Sequence, residues 1–275
     1  MTTRQRQPAV AGQFYPGKPD QLRAAVRELL AAAETAVPAP AVAAIAPHAG
    51  YVYSGRTAAE VFARLDVPRR CVVVAPNHTG VCDAPRGGSV CAVGTFLTPA
   101  GDVPVDETAA AALLDRCDVL QDDPAAHARE HAVEVELPFL LARRPDVRIV
   151  PLVLAWSDWP RTRALGEALA EVVRTSDGPT LLVASSDINH YESAAVAARK
   201  DGLALAAIER LDGEGLLEVT RRHEVTMCGR VPAAAVLHAA LLLGASAAEV
   251  VHYSHSGLVT GEDDAVVSYA GVIAR

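Results

Sequence analysis

VAAIAPHAGYVYSGRTAAEVFARLDVPRRCVVVAPNH, residues 42–78, carries the pattern that decides the fold. Each end is a short run of Ala, Val and Ile that closes on a proline and a histidine. Between them lies an Ala/Arg/Glu segment of helical character, which Ser54 is suited to cap. The pattern predicts a strand over 42–47, a helix over 55–65, a turn at Val67 and Pro68, and a strand over 71–76. A right-handed crossover lays two such strands parallel, with their carboxyl ends on one edge of the sheet. His48 and His78 follow those ends, 30 residues apart, and that edge is where open α/β sheets bind ligands. The competing account is two unrelated loop histidines, each satisfied by backbone.

The same alternation continues outward. Upstream, Asp20 fits the cap of a helix over 21–33, which the VPAPA run at 37–41 ends. Downstream, residues 79–105 are rich in Gly and Pro and read as loop with short strands. Helices are expected over 107–116, 130–142, 161–174, 193–210 and 232–243, the last with Pro232 in its first turn. Strands are expected over 147–154, 180–185, 249–253 and 265–273. The fold class is α/β: a single domain over residues 1–275 with a mainly parallel or mixed central sheet flanked by helices. No linker or 20–50-residue repeat interrupts it.

Composition narrows the function. The chain has 275 residues, 51% hydrophobic and 21% charged, which excludes disorder and coiled coil. Aromatics are only 4%, so the core is built from Ala, Val and Leu. A net charge of −8 without a basic stripe argues against nucleic acid and anionic membrane as partners. No uncharged apolar run approaches the ~18 residues of a membrane span, and a soluble cytoplasmic protein is expected. Five cysteines without a CxxC pair point to reduced thiols.

Polar chemistry collects where strands end. LLVASSDINHY, residues 181–191, passes abruptly from an apolar strand to Asp187 and His190. These suit an orienting carboxylate and a proton-transferring imidazole, or a helix cap. Cys228, in TMCGRVPAA, precedes a helix start and Arg230, both of which favour a thiolate; the alternative is an inert buried thiol. His48, His78 and Cys228 together make a two-nitrogen, one-sulfur set that Fe(II), Zn(II) or Cu(I) accepts. REHAVEVELPFL, residues 129–140, reads as a helix carrying Glu130, His131, Glu134 and Glu136. A carboxylate there can bond the ring N–H of a ligating His, or the face can be merely solvated; the roles of Glu130, His131 and Glu134 stay open. His252 and His255 read as structural, and His127, His223 and His238 as surface or packing residues.

RQPAVAGQFYP (6–16), IAPHAGYVYSGRTA (45–58), APNHTG (75–80), EHAVEVELPFL (130–140), SSDINHY (185–191) and MCGRVPAA (227–234), followed by SYAGVIA (268–274), closely resemble the Memo family. Its bacterial and archaeal members are called AmmeMemoRadiSam system protein B. The resemblance implies a fold similar to class III non-haem iron extradiol dioxygenases of the LigB type. It implies His48, His78 and Cys228 as metal ligands, with Asp187 and His190 lining the same pocket. Those dioxygenases hold Fe(II) with two His and a carboxylate, whereas Cys228 stands third here. Thr79 occupies a position where some members carry a second His. Glu136 stands where many carry Gln, which would add charge near the site. The function implied is an iron-dependent redox enzyme acting on a small molecule, with Zn(II) or Cu as other ions. The alternatives are an adaptor or peptide-binding protein keeping the pocket, and a zinc-dependent hydrolase. The family name also implies association with an AMMECR1-like protein and a radical SAM enzyme.

Overall fold

A computed structural model describes residues 4–33 and 37–275. In chain order its strands are β1 (Gln5–Arg6), β2 (Ala43–Ala46), β3 (Arg70–Pro76), β4 (Gly88–Val90), β5 (Thr95–Thr98), β6 (Gly101–Pro104), β7 (Leu120–Asp122), β8 (Arg148–Leu154), β9 (Thr180–Ser185), β10 (His190–Glu192), β11 (Ala248–His255) and β12 (Val266–Ala274). The helices are α1 (Pro19–Ala32), α2 (Tyr51–Ala63), α3 (Glu107–Arg116), α4 (Pro124–His127), α5 (Leu137–Arg143), α6 (Trp159–Thr175), α7 (Ala194–Glu209), α8 (Gly213–Arg222), α9 (Arg230–Leu242) and α10 (Gly257–Thr260).

The centre of the main sheet runs β2-β9-β3-β8, all parallel. These strands are buried along nearly their whole length, as expected for parallel strands covered by helices on both faces. Their Val, Leu and Ile runs reflect that double burial. β12 adds antiparallel to β2 and carries β10 and β11; on the other side β4 pairs antiparallel with β8 and parallel with β7. A small sheet, β1-β5-β6, lies apart. The architecture is therefore α/β with a mixed sheet around a parallel centre, as the alternation predicts.

One detail of the founding unit differs. β2 and β3 are parallel but not neighbours, because β9 lies between them, with Ile45 opposite Ala184 on one side and Val74 opposite Ala184 on the other. The two histidine-bearing ends still reach the same edge, and the SSDINHY segment leaves the sheet between them.

Four local expectations are corrected. α1 starts at Pro19, with Lys18 at the cap and Asp20 in the first turn, because proline at the start supplies the helical φ in advance. α2 starts four residues before Gly55: Gly50 caps it, the Tyr51 N–H donates to Phe14 O at 2.7 Å, and Ser54 instead donates to Ala49 O. Residues 130–142 are not one helix. A short 3-10 turn at Glu134–Glu136 leads into α5, since Glu130 turns back to accept from the Ala132 N–H. α8 has no counterpart among the expected helices; Asp212 caps it through the Gly215 N–H.

The core beneath the sheet includes Phe62 stacked on Phe139, centroids 5.5 Å apart, with Tyr51 tilted against Phe139. Burying one such ring contributes roughly 1.5–3 kcal/mol. Among the described residues no helix is long and apolar enough to cross a membrane.

His127 is 1% exposed, and burial pulls its imidazole down to about 4. A base held neutral in this way adds stability above its unfolded pKa, and that stability is lost as pH falls through the folded value. We expect wild-type protein to lose about 3 kcal/mol between pH 6.5 and pH 4 from this group. Urea melts across that window should show a flatter profile for His127→Gln, and an unchanged slope would remove His127 as the cause.

Candidate functional site

Four stretches meet at the carboxyl edge of the parallel strands: the ends of β2, β3 and β9, and the turn before α5. His48, just after β2, is 2% exposed. Its backbone N–H donates to Asp187 Oδ1 at 2.9 Å, its Nδ1 lies 2.8 Å from Ser185 Oγ, and its Nε2 lies 3.3 Å from Cys228 Sγ. His78 follows β3; its backbone N–H and its Nδ1 both engage the Glu130 carboxylate, at 2.6 and 2.9 Å. The His78 ring centroid stands 5.0 Å from that of His48. The two strand-end histidines thus share one crevice.

A third imidazole joins them. His131 sits 4.6 Å from His78 and 5.4 Å from His48 by ring centroid. One nitrogen from each of His48, His78 and His131 lies within 4.8 Å of the others. The helical reading of residues 130–142 hid this residue, because it treated residue 131 as one position on a helix surface. The tight turn instead sends Glu130 and His131 toward the same crevice. The signal in the sequence was the adjacency of Glu and His just ahead of the 3-10 turn.

Electrostatics keep these nitrogens available. Burial, and then the neighbouring imidazoles of His78, His131 and His190, hold His48 well below the usual histidine range. Burial likewise lowers His131, partly offset by Glu130. Burial alone would raise Glu130, but hydrogen bonds from His78 and the Ala132 N–H outweigh it and keep that carboxyl below its ordinary range. An ionised Glu130 accepting from the His78 Nδ1–H leaves the His78 Nε2 lone pair free.

Cys228 lies immediately before Gly229, the residue that caps α9. Gly229 is needed there: a Cβ would collide with the Ser185 carbonyl and the Ser186 side chain. The expected easy ionisation of the thiol is corrected. Burial, and then the nearby Asp187 carboxylate, push it up, and the protonated thiol has two acceptors in reach, His48 Nε2 at 3.3 Å and Asp187 O at 3.6 Å. Burial and an adjacent negative charge exceed what the helix start contributes.

Asp187 and His190 line the same cleft, of about 590 Å³, together with His48, His78 and His131. Phe14, Tyr53, Tyr191 and Tyr269 supply its aromatic walls, and among the described residues no Lys or Arg lines it. Burial raises Asp187 to about 7 against the pull of the His48 and Ala49 N–H groups. His190 is lowered, chiefly by burial. The expected orientation of His190 by Asp187 is corrected: the His190 Nδ1–H donates to Thr226 O at 2.9 Å, and Asp187 is taken up by the His48 loop. Residue spacing in a turn could not tell these partners apart.

The remaining residues of the polar motifs serve the frame. Glu134 binds Arg6 and the Tyr15 hydroxyl and accepts from the Ala9 N–H at 2.7 Å, pinning the N-terminal segment. Thr79 donates to Asn77 Oδ1 within the turn after β3. Glu136 is fully buried, and burial pushes its carboxyl well above its ordinary value, against the added charge expected there.

The family model described as Memo-like protein matches residues 6–273. A MEMO1 family protein of Methanopyrus kandleri is 39% identical, covering 98% of this chain and 99% of its own length. One from Aquifex aeolicus is 39% identical, at 98% and 99%, and one from Methanosarcina barkeri is 40% identical, at 98% and 100%. Among solved structures, an uncharacterized protein of Escherichia coli K12 aligns with a TM-score of 0.55 at 17% identity, covering 84% of this chain and 98% of that one. That likeness is one of fold.

Proposed function

Because this chain belongs to the Memo family, we propose that it is a metal-dependent redox enzyme that binds Fe(II) through His48, His78 and Cys228 and acts on a small molecule in the cytoplasm. The observation that carries the reading is the convergence of three imidazoles, His48, His78 and His131, with the Cys228 thiol 3.3 Å from His48 Nε2, at a cleft lined, among the described residues, by no Lys or Arg. The donor set fits such an ion. The 3.3 Å between His48 Nε2 and Cys228 Sγ is close to the roughly 3.5 Å that two ligands of one tetrahedral ion would show. His131 offers a further donor, and an ion accepting six ligands keeps positions open even with all four bound. Zn(II) and Cu(I) satisfy the same donors.

Fe(II) held there would supply a Lewis-acidic centre able to exchange single electrons. The protein supplies the rest. Glu130 holds His78, and Ser185 holds His48. Asp187, raised to about 7, can give or take a proton near neutral pH at the wall of the cleft. His190, its Nδ1–H committed to Thr226 O, keeps Nε2 as a proton acceptor. With no Lys or Arg among the described residues of the lining, the cleft suits an uncharged substrate better than a phosphorylated one.

A second reading, an adaptor that binds a peptide without turnover, draws support from the rim, where Tyr191 is 79% and Val52 67% exposed. The family resemblance adds an association with an AMMECR1-like protein and a radical SAM enzyme as a proposal about partners. One experiment separates the readings: metal content after anaerobic purification, then O₂ uptake. The redox reading expects about one iron per chain and O₂ consumption. A zinc hydrolase would hold zinc and ignore O₂, and an adaptor would consume nothing.

Glu130→Ala should lower metal affinity by about 10–100-fold, because His78 loses the carboxylate that fixes its ring. Competition with a metallochromic chelator measures this. Affinity equal to wild type would show that Glu130 serves the turn alone.

A further inference from the structure

The structure assigns Glu136 as a neutral carboxylic acid that donates to Ser185 Oγ and so helps fix the hydroxyl that accepts from the His48 Nδ1–H, leaving the His48 Nε2 lone pair toward His78 and His131. The number of hydrogens around Ser185 decides the assignment. Ser185 Oγ makes three contacts: His48 Nδ1 at 2.8 Å, Ala132 O at 2.7 Å and Glu136 Oε1 at 2.9 Å. A hydroxyl has one hydrogen to give.

Ala132 O is a carbonyl and can only accept. If the hydroxyl hydrogen went to His48 or to Glu136, two oxygens 2.7 Å apart would face each other with lone pairs alone. Only when Ser185 donates to Ala132 O are all three contacts hydrogen bonds. His48 Nδ1 and Glu136 Oε1 must then both donate to Ser185 Oγ. Glu136 therefore carries a proton, and His48 carries its proton on Nδ1.

Burial agrees with the count. Glu136 is 0% exposed, and its Oε2 has no hydrogen-bond partner among the described residues. An ionised carboxylate with one oxygen bare in the interior is far more costly than a neutral acid with an unpaired carbonyl oxygen. Glu136 touches Ser185 rather than the ion's donors, so it is a positioning residue, acting on His48 through one hydroxyl. The consequence for metal binding rests on the proposed function; the proton assignment does not.

The test uses full-length protein and two readouts. In metal-free protein at neutral pH, infrared difference spectra of wild type against Glu136→Gln should show a protonated-carboxyl C=O band present only in wild type. No such band would mean that Glu136 is ionised and would overturn the assignment. Proton and nitrogen NMR of His48 should report an Nδ1–H in all three proteins, with the same hydrogen-bonded shift in wild type and in Glu136→Gln, whose amide N–H replaces the acid as donor, and an upfield shift with faster solvent exchange in Glu136→Leu, where Ser185 Oγ has lost one of its two donors. A Glu136→Leu spectrum identical to wild type would end the positioning role.

Zn(II) affinity should follow the same order. Glu136→Gln should stay within about 2-fold of wild type, and Glu136→Leu should fall about 10-fold, the low end expected for a group behind a ligand. Gln as weak as Leu would show that negative charge, not a donated proton, is what the site requires. If wild type binds no metal, the proposed function fails, while the infrared and NMR results still judge the proton.

Discussion

Anaerobically purified His48→Ala and His78→Ala are each expected to bind Fe(II) or Zn(II) more than ~100-fold more weakly than wild type, since losing a ligand must exceed the 10–100-fold cost of losing a group behind one. The reason lies in how the two residues are held. Both imidazoles are oriented from behind, His48 by Ser185 and His78 by Glu130, so ordering costs are met before the ion arrives. Cys228→Ser should weaken Zn(II) and Cu(I) most, because a hydroxyl is a poor replacement for a soft sulfur. His131→Ala should cost less, about 10-fold, if His131 supplements the other three donors. Isothermal titration at one fixed pH ranks the four. A His131 variant as weak as the His48 variant, beside a Cys228→Ser variant of wild-type affinity, would make the centre a three-imidazole site and remove the sulfur. Full affinity in either strand-end variant would end the site assignment.

Asp187→Asn and His190→Gln are expected to act on turnover rather than binding. The asparagine side chain of the first variant keeps an oxygen that can accept from the His48 N–H, so the loop and the metal affinity should survive within a few-fold. What is lost is a group that changes protonation near pH 7. Removing a positioned proton donor or acceptor lowers rate by about 10²–10⁴-fold. Stopped-flow O₂ consumption by the iron-loaded variants, with metal content measured on the same samples, separates rate from occupancy. Loss of iron in step with loss of rate would make Asp187 or His190 part of the ion's own ligand set and overturn the division of roles.

The residues of both experiments differ in how far they are legible in the sequence. His48 and His78 are legible because a strand–helix–strand unit forces two parallel strand ends onto one edge, whichever strand is laid between them. That rule is topological and tolerates the insertion of β9. Asp187 and His190 are legible for the same reason, as polar residues at the end of an apolar run. Their mutual relation is not, since a turn of three residues permits either to face several partners. His131 escapes a sequence reading because a helix period fails on a segment where Glu130 accepts from the Ala132 N–H and breaks that period.

The amino-acid order alone specifies the α/β class, the parallel centre of the sheet, the family, and the edge where polar residues collect. Each follows from local periodicity, chain connectivity or ordered motifs, and these are properties of neighbouring residues and of handedness. Which donors meet, and in what protonation state, is settled by three-dimensional packing. β9 falls between β2 and β3, Ser185 then reaches both His48 and Glu136, and Cys228 is carried from 180 residues away to Nε2 of His48. Burial pushes both Glu136 and the Cys228 thiol up, against the ionisation expected of each. One cause underlies all of these: desolvation and hydrogen-bond partners depend on groups distant in the chain, and periodicity carries no record of them.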